Sequence, residues 1–214
     1  MKHLIGISLF MVAVGLLFFA LASYYYEKGF ESQKVQIERA FIAPSNLSID
    51  TILGKNLPTE KILDDESLLG IDTNHNEIRD DIELKVFETF KSPIKRALLL
   101  QIFRTEQRML MDPNLIKNAR YWAIADSKYG GCDRYLHLFE NIEVIRGKDI
   151  DMVLDWQYNN AKRIKTYRNY DRALSGGVYS IPKESLQACE FDVEAVLQLE
   201  KEAKDKSENY KGVE

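Results

Sequence analysis

Between Asp72 and Glu83 the chain sets oxygen-bearing side chains at the first, third, fifth, ninth and twelfth places of a twelve-residue stretch: Asp72, Asn74, Asn76, Asp80 and Glu83. A hard cation such as calcium takes about six to eight oxygen ligands at roughly 2.3–2.6 Å, and a twelve-residue loop delivers them at this spacing. Ile78, in the seventh place, would offer its backbone carbonyl while its side chain packs on the domain. Glu83 would close the loop with two oxygens, and Asp80 would bind directly or through a water. The sixth place, where the turn asks for φ > 0 and usually for glycine, is Glu77. A side chain there costs on the order of 1 kcal/mol. Two of the five side-chain ligands are neutral Asn, so the expectation is a structural calcium site of modest affinity, suited to a calcium-rich exterior. The plainer alternative is an Asx-rich turn that caps the next helix and holds no ion.

The loop resembles the D-x-[DN]-x-[DN]-G-[IV]-x-D-x-x-E loops of bacterial exported proteins, relatives of dockerin and thrombospondin type 3 loops. These are EF-hand-like without a full entering helix, and Leu68-Leu69-Gly70-Ile71 is likewise too short for one. The wider stretch Gly70–Glu83, with Arg79-Asp80-Asp81 before Ile82-Glu83, is similar to a signature of uncharacterised exported proteins of Gram-negative bacteria. The region Leu174–Phe191, with Gly176, Pro182 and Cys189, resembles their C-terminal end. The resemblance implies export and a calcium loop and brings no activity with it.

No catalytic residue is assigned. His75 lies in a non-ligand place of the loop, and His137, between Asp133 and Glu140, reads as part of a surface ion pair. There is no Gly-x-Ser-x-Gly, His-Glu-x-x-His or phosphate loop. Lys162, Arg163, Lys165, Arg168 and Arg172, interleaved with Tyr167 and Tyr170, have the composition of a nucleic-acid stripe. A solvated helix face is the better reading, with an acidic protein or anionic lipid headgroups as the other partners it suits. The net charge of −4 is mild and argues neither for a nucleic-acid binder nor for a disordered acidic chain; the export signal is what tells against nucleic acid.

Cys132 and Cys189 are the only cysteines, and neither sits in a C-x-x-C motif. In an oxidising compartment such a pair reads as a structural disulfide, with two unrelated buried thiols as the alternative. The bridge would close a loop of about 58 residues, worth roughly 4 kcal/mol in the chain-entropy model.

The elements that must position these groups are helical. Leu4–Ala22 is apolar without a charge, and with Ser23 and Tyr24–Tyr26 it matches the length of about 20 residues that spans a bilayer. Lys2 precedes it, which places the remainder outside the cytoplasm. Residues 1–26 are a transmembrane signal anchor contacting the bilayer through 4–26, or a signal peptide cleaved after Ala22 at Ala20-Leu21-Ala22. The first gives an inner-membrane anchor with a periplasmic domain, the second a periplasmic protein. Residues 27–67 read as a stalk and irregular connector, with a sequon at Asn46-Leu47-Ser48. Residues 68–200 form the helical domain, and 201–214 a polar tail that frays. Within the domain, Ser92-Pro93 and Asp112-Pro113 start helices and Gly130-Gly131 ends one. A fourth helix covers 132–146, and a long fifth runs from Asp149 toward Arg172. A short extended piece, Val178–Ile181, precedes a last helix from Pro182. The fold class is all-α: a membrane helix followed by an irregular bundle with one EF-hand-like loop.

These features point to a membrane-tethered, exported, non-enzymatic binding domain with an unknown protein partner. One version is an immunity-type protein that blocks a toxin acting in the periplasm. The alternatives are an envelope enzyme acting on polymers or lipids through scattered carboxylates, and a structural subunit of an envelope complex.

Overall fold

Ser92 accepts the backbone N–H of Lys95 with its hydroxyl, and Pro93 takes the first helical position, where a missing N–H costs nothing. The helix they start, α4 (Pro93–Met111), is buried along nearly its whole length and is the axis of the domain. The computed structural model describes residues 2–41, 47–58, 66–142, 144–177 and 183–211, without the side chains of 2–11, 13, 33, 35–41 and 206–211. The described residues are helical, with no strand among them. The chain divides into two units, Met1–Pro44 and Ser45–Glu214.

The first unit is a single helix, α1 (Lys2–Phe41), so the apolar run and the stalk residues are one continuous element. Leu16, Leu17, Phe18 and Phe19 are each at least 60% exposed. Among the described residues no helix is long and apolar enough to cross a membrane. The expected membrane span is therefore not met there; the side chains of 2–11, which begin the apolar run, lie outside the described residues.

In the second unit α4 is surrounded. Helices α2 (Ile49–Leu53), α3 (Asp80–Thr89), α5 (Ala119–Asp126), α6 (Lys128–Phe139), α7 (Gly147–Gln157) and α9 (Val193–Lys211) all pack on it, and α8 (Ala161–Leu174) packs on α5. Ile52, Ile82, Val86, Leu98, Leu99 and Phe103 form the buried core with Leu136, Val153 and Val196. Phe103 lies flat against Trp156 of α7, with ring centroids 6.0 Å apart.

Several boundaries differ from the sequence expectation for local reasons. Helix α2 lies inside the stretch read as an irregular connector; Ser48 caps it through the N–H of Thr51, and Gly54 ends it at φ 73°. Asp112 turns its carboxylate inward onto Asn118 Nδ2, Trp122 Nε1 and the N–H of Asn114, so a compact turn replaces the first part of the expected third helix. Gly130 and Gly131 sit inside α6, and the break falls at Ser127 instead. The long helix from Asp149 to Arg172 is two helices, because Asn160 caps a fresh start by accepting the N–H of Arg163. Helix α9 runs to Lys211, across the residues read as a frayed tail. The expected extended piece at 178–181, and Asn46 of the sequon, lie outside the described residues.

Cys132 of α6 and Cys189, just after a 3₁₀ turn at Leu186–Ala188, form a disulfide with their Cα atoms 4.9 Å apart. Both cysteines are buried in the core cluster. The bridge pins the segment that leads into α9 against α6, and Gly131 O accepts the N–H of Ser185 beside it. Cys132→Ser is expected to lower stability by about 2–4 kcal/mol in chemical unfolding. Mass analysis of unreduced protein should find both thiols blocked; two alkylatable thiols in native material would refute the bridge.

Candidate calcium loop

The loop begins on a pinned stretch of backbone. Asn160 Nδ2 donates to Ser67 O, Arg163 Nε to Leu68 O, and Gln107 Nε2 to Leu69 O. Gly70 has φ 71°, and a Cβ there would stand 2.7 Å from Arg79 Cδ and 2.9 Å from Arg163 Nη2. Glycine is required at this place for its backbone conformation and for the two arginine side chains packed against it.

The backbone then folds around Asp72. Its two carboxylate oxygens accept the N–H groups of Asn76 (3.2 Å) and Glu77 (2.9 Å). Asn74 Oδ1 accepts Asn76 N–H and Asn76 Oδ1 accepts Ile78 N–H. His75 and Glu77 hold φ values of 55° and 67°, so the fourth and sixth places both adopt the left-handed conformation. Ile78 is fully buried in the core, as its place in the motif demands, and His75 is exposed.

Asp80 and Glu83, from the first turn of α3, close the loop from the other side. Asp80 Oδ1 accepts the N–H of Thr73, while its Oδ2 is buried with no hydrogen-bond partner among the described residues. Glu83 accepts Asn76 Nδ2 at 2.6 Å and Asn74 Nδ2 at 2.9 Å. Four of the five predicted side-chain ligands, Asp72, Asn74, Asn76 and Glu83, are thus linked by hydrogen bonds, and Asp80 reaches the same loop only through the Thr73 N–H. The amide nitrogens, rather than a close set of oxygens, face Glu83. Among the described residues no group of three or more His, Cys, Asp or Glu converges tightly enough to hold a metal. Burial pushes the Glu83 carboxyl up to about 7; the Asn amides work against that rise, and the like charges of Asp72 and Asp80 add to it. Burial raises Asp72 too, with Asp80 contributing.

Buried arginines hold this knot to the domain, and the sequence reading gave none of them a role at the loop. Arg79 is fully buried, grips Asp81 through Nε (2.9 Å) and Nη2 (2.7 Å), and donates from Nη1 to Gln157 O. Burial works to raise the Asp81 carboxyl, but the Arg79 guanidinium outweighs it and holds the group below its ordinary value. Arg104 Nε and Arg108 Nη2 reach the carboxylate of Glu77 at 3.0 and 2.6 Å. Glu190, next to Cys189, lies 3.3 Å from Arg108 Nη1 and 3.9 Å from Arg104 Nη1. The residue that departs from glycine at the sixth place thus belongs to a neutral quartet. The available signal was Arg104 and Arg108 four apart, and so on one face of α4.

Other candidates resolve simply. His137 is exposed, and Asp133 accepts the N–H of Ile145. Arg163 leaves the basic stripe for the interior, and Tyr167 packs against Tyr158 and Tyr170. A buried carboxyl pair that sequence reasoning missed joins Glu106 of α4 to Asp126 of α5, with Tyr158 donating its hydroxyl to Glu106. Burial, and then the Asp126 charge, hold Glu106 well above the usual carboxyl range, and burial raises Asp126 to about 6. The two groups share a hydrogen bond, whereas the acid and base of a glycoside hydrolase stand about 5–9 Å apart.

Glu77→Gly tests the quartet. It relieves about 1 kcal/mol of left-handed strain. It also strips a carboxylate from two buried guanidiniums, a loss on the order of 2–3 kcal/mol with Glu190 still in reach. The expected outcome is a net loss of stability in chemical unfolding, and a gain would show that the strain outweighs the ion pairs. No protein-family model matches this chain, nor does any curated protein or solved structure.

Proposed function

We propose that the chain is an exported, membrane-tethered helical domain that binds a protein partner, with calcium held at Asp72–Glu83 as a structural staple. The observation that carries the calcium reading is the backbone of the loop. Left-handed residues at the fourth and sixth places turn the chain around Asp72, and Asp80 Oδ2 is left buried without a partner among the described residues. A cation at the centre would satisfy that oxygen and relieve the repulsion among Asp72, Asp80 and Glu83. Asn74 and Asn76 would then turn their amide oxygens inward in place of their N–H groups, and the carbonyl of Ile78 would complete the set.

Calcium that binds only the folded state stabilises it by RT ln(1 + [L]/Kd), about 1.4 kcal/mol at a tenfold excess over Kd. Calcium is expected to raise the Tm of chelator-stripped protein, magnesium to raise it less, and Glu83→Gln to remove most of the shift. Calorimetry showing no uptake at millimolar calcium would reduce the loop to a helix-capping turn.

The tether reading draws on α1. Leu16–Phe19 are four consecutive apolar side chains, so they cover the whole circumference of the helix, and all are exposed. A helix apolar on every side needs an apolar surrounding. Lys2 before the run directs the rest outward. The immunity-type version, a tethered domain that blocks a toxin at the membrane, is the concrete form of the binding reading. A reporter enzyme fused after Glu214 is expected to be active only outside the cytoplasm; activity inside would overturn both export and tether.

A further inference from the structure

We propose that the end of the domain around Leu110–Lys117 and helix α8 is a docking face for an anionic bilayer surface. Lys162, Lys165, Arg168 and Arg172 recur at three- and four-residue spacing, so they share one face of α8. All four are exposed, and none has an ion-pair partner among the described residues. The acid on the same helix, Asp171, borders this face one turn from Arg168, so three of the stripe's four charges remain in net excess. Arg163, the fifth cation of the stripe, is buried and takes no part.

Beside this face lies an open groove of about 650 Å³, lined by Thr166 and Asn169 of α8 and by the turn that follows α4. Its apolar side chains stand out into solvent: Ile116 is 52% exposed, and Met111 and Leu69 are 40% exposed. Lys117, also exposed and unpaired among the described residues, stands next to Ile116. Asp112 lines the groove too, but its carboxylate is spent inward on three donors. Exposed apolar residues among unpaired cations match a lipid interface, where the apolar groups enter the headgroup region and the cations meet phosphates. An acidic protein could meet the same cations; the bilayer is the occupant favoured here because the tether reading keeps it within reach of the domain.

The inference takes proximity to a bilayer from the tether reading and adds which face meets it and which lipid charge it selects.

Lysine acetylation read by mass spectrometry tests the face on the full chain. The chain is mixed with vesicles of phosphatidylcholine alone, or of phosphatidylcholine with phosphatidylglycerol. Each cation near an anionic surface is worth about a fivefold factor in binding. Acetylation of Lys117, Lys162 and Lys165 is therefore expected to slow by about tenfold or more with phosphatidylglycerol only, and to recover in high salt. Lys95 and Lys148, which line a separate pocket at the opposite end of α4, serve as controls and keep their rates. Arg168→Glu with Arg172→Glu, both on the exposed face, is expected to abolish the protection. Equal acetylation of the three lysines in both lipids would overturn the proposal. So would protection by soluble polyglutamate without protection by lipid, which would assign the face to an acidic protein. The tether fails separately, as a chain that does not float with phosphatidylcholine vesicles, and the lysines are read in the same samples.

Discussion

Two arginines in the interior set the conditions for the rest of this domain. Arg104 and Arg108 lie on the buried C-terminal half of α4 with side chains at most 5% exposed. Moving an ion into such surroundings costs several kcal/mol unless a counter-charge and hydrogen bonds meet it there. Burial, and then the neighbouring Arg108, push the Arg104 guanidinium below its ordinary value, and Glu77 and Glu190 pull it back. One carboxylate comes from the acidic loop and the other from the segment at the disulfide. The central helix, the loop and the approach to α9 therefore stand or fall together.

That constraint recasts the odd residue in the loop. Judged against loops with glycine at the sixth place, Glu77 is a defect that strains the turn. Judged against the domain, it is the side chain that neutralises α4. The same physics shapes the flanks: Arg79 and Arg163 cross beneath Gly70 and tie backbone carbonyls of distant segments to the loop. The loop is fixed by buried cations on its outer side, while its carboxylates crowd one another on the inner side. An ion taken up there would meet a turn already shaped by the protein, so the cost of ordering the chain falls on folding rather than on binding.

The sequence made the all-α class, the disulfide partners and the cluster of Asp72, Asn74, Asn76, Asp80 and Glu83 legible, each from a local cause. Caps and prolines mark helix starts, two cysteines leave a single pairing, and alternation within a tight loop gathers these side chains, with the Asn amide nitrogens turned to Glu83. It was misleading where tertiary contacts override local signals. Gly130-Gly131 looks like a stop, yet Gly131 and Cys132 are buried in α6 at the disulfide. Arg163 looks like one of five surface cations, and only the fold shows that it turns inward to Leu68 O. The Glu77–Arg104–Arg108–Glu190 quartet joins residues up to 113 positions apart in the chain. No periodicity or spacing reports a contact of that kind.

The quartet also bears on how the chain can assemble as it is made. A polypeptide emerges from its N-terminus, at about 5–20 residues per second. When α4 has emerged, Glu77 is already present but Glu190 is not, so the two arginines share one counter-charge. Cys132 likewise waits for Cys189. For the whole interval needed to add residues 112–190 the central helix lacks a condition for its own burial. The complete counter-charge set and the disulfide thus become available only with the C-terminal segment, which acts as the keystone of an arch whose other stones are already cut.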